Sequence, residues 1–147
     1  MSKMYWRLYY HIIWATKGRL PLISEAVRDT VVRYIQAKCD ELGCVLHAAE
    51  AAVDHVHILV SVPPNIRVSD VLRDIKGGSS HLINHELGLE SPFYWQRGCG
   101  VISVSRRDRA RVVDYIRGQR ERHAAGNVWP SLERTDSGSD EASDDPD

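Results

Sequence analysis

A chain of 147 residues, 43% of them hydrophobic, is long enough for one domain with a buried core. No apolar stretch approaches the roughly 20 residues that span a bilayer, and Met1 to Arg7 lacks the apolar run of a secretory signal, so a cytoplasmic protein with no membrane partner is expected. The net charge of −1 hides an asymmetry: residues 133–147 hold seven acidic residues and one arginine, which leaves 18 Lys+Arg against 13 Asp+Glu in residues 1–132. The expected division is a folded, basic body over 1–132 and an acidic, Ser-rich, disordered tail over 133–147. A basic body suits a polyanionic partner. Cys39, Cys44 and Cys99 are odd in number, fit no metal-finger spacing and read as reduced thiols.

In chain order, residues 5–16 are rich in aromatic and β-branched types and predict a first strand. Lys17-Gly18-Arg19-Leu20-Pro21 follows as a basic turn. Ser24 can cap a helix to about Leu42, with Val27, Val31, Ile35 and Leu42 at helical spacing and Gly43 closing it. Residues 44–51 predict a short strand and 53–62 a strong one, ended by Pro63-Pro64-Asn65. Ser69 can cap a second helix with Val71, Leu72 and Ile75 inward, a kink or break at Gly77-Gly78, and an end near Gly88. Residues 91–98 read as a loop and Val101–Ser105 as a strand. Ser105 or Asp108 can cap a last helix to about His123. The first six elements match an α+β, ferredoxin-like split βαβ arrangement, an antiparallel sheet with helices on one face, followed by a C-terminal helix. The second middle strand should then lie centrally in the sheet.

That strand carries His55 and His57. Alternation along a strand puts Val56, Ile58, Val60 and Val62 on one apolar face, and Val53, His55, His57, Leu59 and Ser61 on the other. Two same-face imidazoles are close enough to reach one metal ion, although a bare His-x-His is more often two surface histidines. Imidazole suits zinc, copper, iron or nickel; an amide oxygen and phosphate oxygens would shift the choice to Mg²⁺ or Mn²⁺.

The last helix places Arg111, Tyr115, Gln119 and Arg122 in a stripe beside Val112, Val113 and Ile116. Tyr115 and Gln119, one turn apart, could complete a site begun by the histidines. A phenol, with a pKa near 10, is a weak nucleophile at neutral pH unless a metal or cation stabilises its anion. Seven arginines fall between residues 106 and 122, against three acidic residues. Such a run is usually a solvated face. Arginine also makes planar contacts to phosphate, so Arg106, Arg107, Arg111 and Arg122, with Lys17, Arg19 and Lys76, could hold a nucleic-acid backbone. Trp6, Trp14, Trp95 and the Tyr9-Tyr10 pair could stack on unpaired bases, though core positions are the commoner use of such residues.

Several blocks recur together: Tyr10-His11-Ile12-Ile13-Trp14-Ala15-Thr16-Lys17, Asp54-His55-Val56-His57-Ile58-Leu59, Ile75-Lys76-Gly77-Gly78-Ser79-Ser80, Trp95 through Ser105, and Tyr115-Ile116-Arg117-Gly118-Gln119. In this order they resemble the HUH-type single-tyrosine transposases of the smallest bacterial and archaeal insertion sequences. Cys99 departs from the pattern, standing where an aromatic residue is usual, and the chain from Ala124 onward matches no pattern of the family. The resemblance implies that His55, His57 and Gln119 bind a divalent metal, Mg²⁺ or Mn²⁺. It implies that Tyr115 attacks single-stranded DNA, leaving a 5′-phosphotyrosine and a 3′-OH, and that a 3′-OH later attacks that linkage to rejoin the strand. It also implies a homodimer, in which the tyrosine helix of one subunit can complete the histidine site of the other, and recognition of imperfect hairpins near element ends. A nickase of the same chemistry, a domesticated enzyme acting on repeat hairpins, and a non-catalytic ferredoxin-like nucleic-acid-binding module are the alternatives.

Overall fold

The computed structural model describes residues 4–118. Strand β1, Tyr9–Ala15, is buried at every position but Tyr10, as a central strand of β-branched and aromatic residues should be. It is shorter than the expected 5–16. Residues 5–8 stay outside the ladder, and the Leu8 carbonyl accepts a single bond from the Val62 N–H at 3.3 Å. A 3₁₀ turn, Lys17–Arg19, leads to helix α1, Glu25–Leu42. Ser24 caps α1 by accepting from the Val27 N–H, and Gly43 ends it in the left-handed region at φ 76°. Strands β2, Val45–Ala51, and β3, His55–Ser61, follow as a hairpin with a register shift between Leu46 and Ala48.

Helix α2 spans Val68–Glu86. Its start differs from the Ser69 cap expected: Arg67 is the capping residue, because its carbonyl already accepts from the Asp70 and Val71 N–H groups. Arg67 makes no side-chain capping bond among the described residues. The helix also runs unbroken through Gly77-Gly78, despite the low helix propensity of the glycine pair, and ends at Glu86 rather than Gly88. Gly78 has a packing reason to lack a side chain, since a Cβ there would collide with the Tyr34 hydroxyl of α1. A Cβ on Gly77 would meet no described atom within 4 Å. Gly77→Ala should therefore stabilise the protein by about 1 kcal/mol through helix propensity. Gly78→Ala should destabilise it, because ~1–3 kcal/mol of overpacking outweighs that gain. Urea unfolding of both variants checks this; equal stabilisation would contradict the packing account.

Strand β4, Gly100–Val104, precedes a 3₁₀ turn at Arg106–Asp108 and helix α3, Arg109–Arg117. Ser105 caps the 3₁₀ turn, accepting from the Asp108 N–H, while Asp108 precedes α3 without a side-chain capping bond among the described residues. The expected continuation of α3 to His123, and the acidic tail, lie outside the described residues.

The sheet order is β2-β3-β1-β4 with every pair antiparallel, the ferredoxin-like split βαβ arrangement. Its two faces have separate cores. Ile12, Trp14, Val56, Ile58 and Val60 pack under α1 and α2. On the opposite face, Tyr9, Ala48, Leu59 and Val104 pack under Val112 and Ile116 of α3. The loop after α2 is tied to that helix: Asn84 exchanges two bonds with the Phe93 backbone, Trp95 Nε1 donates to Ser79 Oγ, and Lys76 Nζ donates to the carbonyls of Gln96 and Gly98. Trp14 is fully buried and half-buried Trp95 meets it edge to face, which favours packing over base stacking for this pair. Among the described residues no helix is long and apolar enough to cross a membrane.

Candidate active site

Alternation along β3 sends its histidines to the α3 face, away from the valine core. That face is not open to solvent. His55 is 3% exposed and His57 0%, with ring centroids 5.0 Å apart and planes at 72°. Helix α3, packed against β2 and β3, lays Tyr115 edge-on to His57 at 6.0 Å between ring centroids. Tyr115 is itself fully buried. The three residues expected to work together are thus joined within one chain, where the resemblance also allowed a partner subunit to supply the tyrosine. Gln119, the proposed third ligand, lies outside the described residues.

Each histidine is anchored through its Nδ1. His55 Nδ1 donates to Asp54 Oδ1 at 2.6 Å, and Arg19 Nη1 stands 4.0 Å from the other Asp54 oxygen. His57 Nδ1 lies 2.8 Å from Nε2 of His11, with the two rings nearly parallel at 12°. A carboxylate or other partner on one ring nitrogen is how metal-binding imidazoles are oriented; in His55, whose Nδ1 donates to Asp54, it leaves Nε2 as the nitrogen able to offer a lone pair. The donor set fits a divalent ion to that extent. Among the described residues no three His, Cys, Asp or Glu side chains are placed to hold one ion, so the pair would need Gln119 and substrate oxygens to complete a shell.

His11 and Asp54 were not assigned roles by sequence reasoning. The signal for His11 is the alternation of β1, which sets it on the face opposite Ile12 and Trp14. What was lacking is the register, which puts Ile13 opposite His57 and Ala15 opposite His55. Farther along the same face, His47 Nε2 sits 2.7 Å from Ser61 Oγ and its ring meets Tyr9 edge-on. Burial, and then the charge of Arg109, push the His47 pKa down.

The cations proposed for DNA binding divide into different environments. Arg107 and Arg111 lie exposed on and just before α3, and exposed Lys17 sits over the Tyr94 ring at 5.6 Å. Arg19, in a positive-φ conformation at 52°, faces Asp54. Arg106 donates to the Tyr5 hydroxyl. Lys76 is half-buried on two backbone carbonyls, and burial lowers its pKa, so a loop clamp accounts for it. Arg122 lies outside the described residues. Tyr9 is buried and Tyr10 half-buried, which favours packing over base stacking for that pair.

Comparison with known proteins gives the family and the fold. Residues 4–119 match the family described as "Transposase IS200 like". The chain is 29% identical over 126 residues to the transposase for insertion sequence element IS200 of Salmonella typhimurium, covering 82% of each chain. It is 25% identical over 122 residues to the ISDra2 transposase TnpA of Deinococcus radiodurans, covering 80% of this chain and 87% of the relative. Among solved structures, a Deinococcus radiodurans protein described as a transposase aligns with TM-score 0.64 at 28% identity, over 81% of this chain and 95% of the other. A REP-associated tyrosine transposase bound to a REP hairpin shares the fold, with TM-score 0.60 at 19% identity, over 88% of this chain and 81% of the other. The chain therefore belongs to the IS200-like transposase family.

Proposed function

We propose that this transposase cleaves and rejoins single-stranded DNA at hairpin-bearing element ends through a covalent tyrosine intermediate. The observation that carries the reading is the buried contact between Tyr115 and His57, beside a second histidine anchored by Asp54. In the proposed step Tyr115 gives up its phenolic proton to solvent, and its oxygen attacks the phosphorus and forms a new P–O bond. The bond to the 3′ oxygen breaks, and that oxygen leaves as a 3′-OH after taking up a proton. Reversal by a 3′-OH restores the phenol and rejoins the strand, so the bond energy is conserved and no nucleotide cofactor is needed. A Mg²⁺ or Mn²⁺ ion held by His55, His57 and Gln119 would polarise the phosphate and favour the phenolate when bound. His55 and His57, locked through Nδ1, orient that site, and the exposed arginines of the α3 region attract the DNA backbone.

Because Tyr115 is fully buried against its own sheet, a phosphodiester can reach it only if α3 shifts. A homodimer in which α3 docks on a second copy satisfies that need. Incubation with Mg²⁺ or Mn²⁺ and a hairpin-bearing single-stranded oligonucleotide should give a protein–DNA adduct stable in SDS, and EDTA should prevent it. If no candidate hairpin yields an adduct while binding persists, the nucleic-acid-binding module becomes the better reading. The hairpin-bound neighbour motivates a second reading, processing of repeat hairpins dispersed in a host genome. Palindromes close to both ends of the coding region would favour a mobile element over that domesticated role.

A further inference from the structure

A third histidine belongs to this site. His11 is fully buried in β1, opposite Leu59 of β3 on one side and Ile102 of β4 on the other. Its Nε2 lies 2.8 Å from His57 Nδ1, and the rings stack at 5.0 Å and 12°. The three histidines do not form a three-ligand group, in keeping with His11 directing its Nε2 at the His57 ring. A 2.8 Å contact between two imidazole nitrogens requires one to donate and the other to accept. If His57 accepts, its proton sits on Nε2 and that nitrogen cannot ligate. If His57 donates, the Nε2 lone pair is available, as in His55, whose Nδ1–H is committed to Asp54. A 180° flip of the His57 ring would put a C–H against His11 Nε2 and lose the bond. The contact therefore fixes the ring orientation and couples the two tautomers, since whichever ring donates the other must accept.

Resting on the proposed metal-bound phosphotransfer, we infer that His11 is a positioning residue: by accepting the Nδ1–H of His57 it holds His57 in the tautomer that presents Nε2 to a divalent ion.

The test uses the full chain with ¹⁵N-labelled histidines, without metal, at a pH well above the ordinary histidine value of about 6.5. Long-range imidazole correlation spectra, assigned with His57→Gln, should show His57 protonated on Nδ1. In His11→Leu the His57 signals should move toward a mixture of tautomers. Affinity for Mn²⁺ alone, followed by water-proton relaxation, should fall about 10–100-fold, the usual cost of losing a partner that orients a ligand. His11→Gln, which keeps an acceptor oxygen, should recover part of both, and it carries the test if the leucine variant does not fold. A His57 protonated on Nε2 in the wild-type chain, or unchanged Mn²⁺ affinity in folded His11→Leu, overturns the inference alone. Absence of Mn²⁺ binding to the wild type overturns the metal-site reading, and the inference with it.

Discussion

Tyr115→Phe is expected to abolish the covalent adduct with DNA while leaving the fold and DNA binding largely intact. The substitution removes one oxygen and keeps the ring that packs edge-on to His57. The structural cost is that of one hydroxyl at a buried position, about 1 kcal/mol, small against the stability of a domain. The chemical cost is total, because the oxygen removed is the proposed nucleophile and a phenyl ring offers no substitute. Adduct formation on denaturing gels, read beside oligonucleotide binding, separates these effects. An adduct that persists in Tyr115→Phe sinks the assignment of Tyr115.

His57→Ala should remove cleavage by a different route. It deletes one of the two imidazoles proposed to hold an ion and removes the partner 2.8 Å from His11. It also opens a cavity beneath α3, and large-to-Ala changes in a core cost roughly 2–5 kcal/mol. The variant should therefore melt earlier and, at temperatures where it stays folded, fail both to bind Mn²⁺ and to form the adduct. Unchanged cleavage in folded His57→Ala would rule out a metal-binding role for that residue.

The parts of this site legible in the sequence are those set by local periodicity. Alternation in β3 separated His55 and His57 from Val56, Ile58 and Val60, and the structure keeps that separation. Ser24 and Gly43 announced the ends of α1 through capping chemistry that acts within a few residues. The four-strand order followed because the alternation of strands and helices admits few connections. What escaped was set by contacts distant in sequence. The burial of the histidine face depends on α3 folding back over the sheet, and no local pattern says where an amphipathic helix will dock. His11 became visible only with the β1–β3 register, which brings two residues 46 positions apart within hydrogen-bond distance. The uninterrupted path of α2 through Gly77-Gly78 likewise reflects Tyr34 packing onto Gly78, a tertiary demand that overrides the poor helix propensity of glycine. Lys76, read as a candidate DNA contact, is held instead by the carbonyls of Gln96 and Gly98, 20 and 22 residues away in sequence, which no local pattern shows.

We propose that this transposase carries its DNA intermediate on Tyr115 in a divalent-metal-dependent step. The most direct test is tandem mass spectrometry of the adduct, trimmed by nuclease and digested with protease, from reactions run with Mg²⁺ or Mn²⁺ and with EDTA. The expected product is a nucleotide 5′-phosphate esterified to Tyr115 in the metal-containing reactions only. Linkage to another residue, such as Tyr9 or Tyr10, or equal adduct in EDTA, would contradict it.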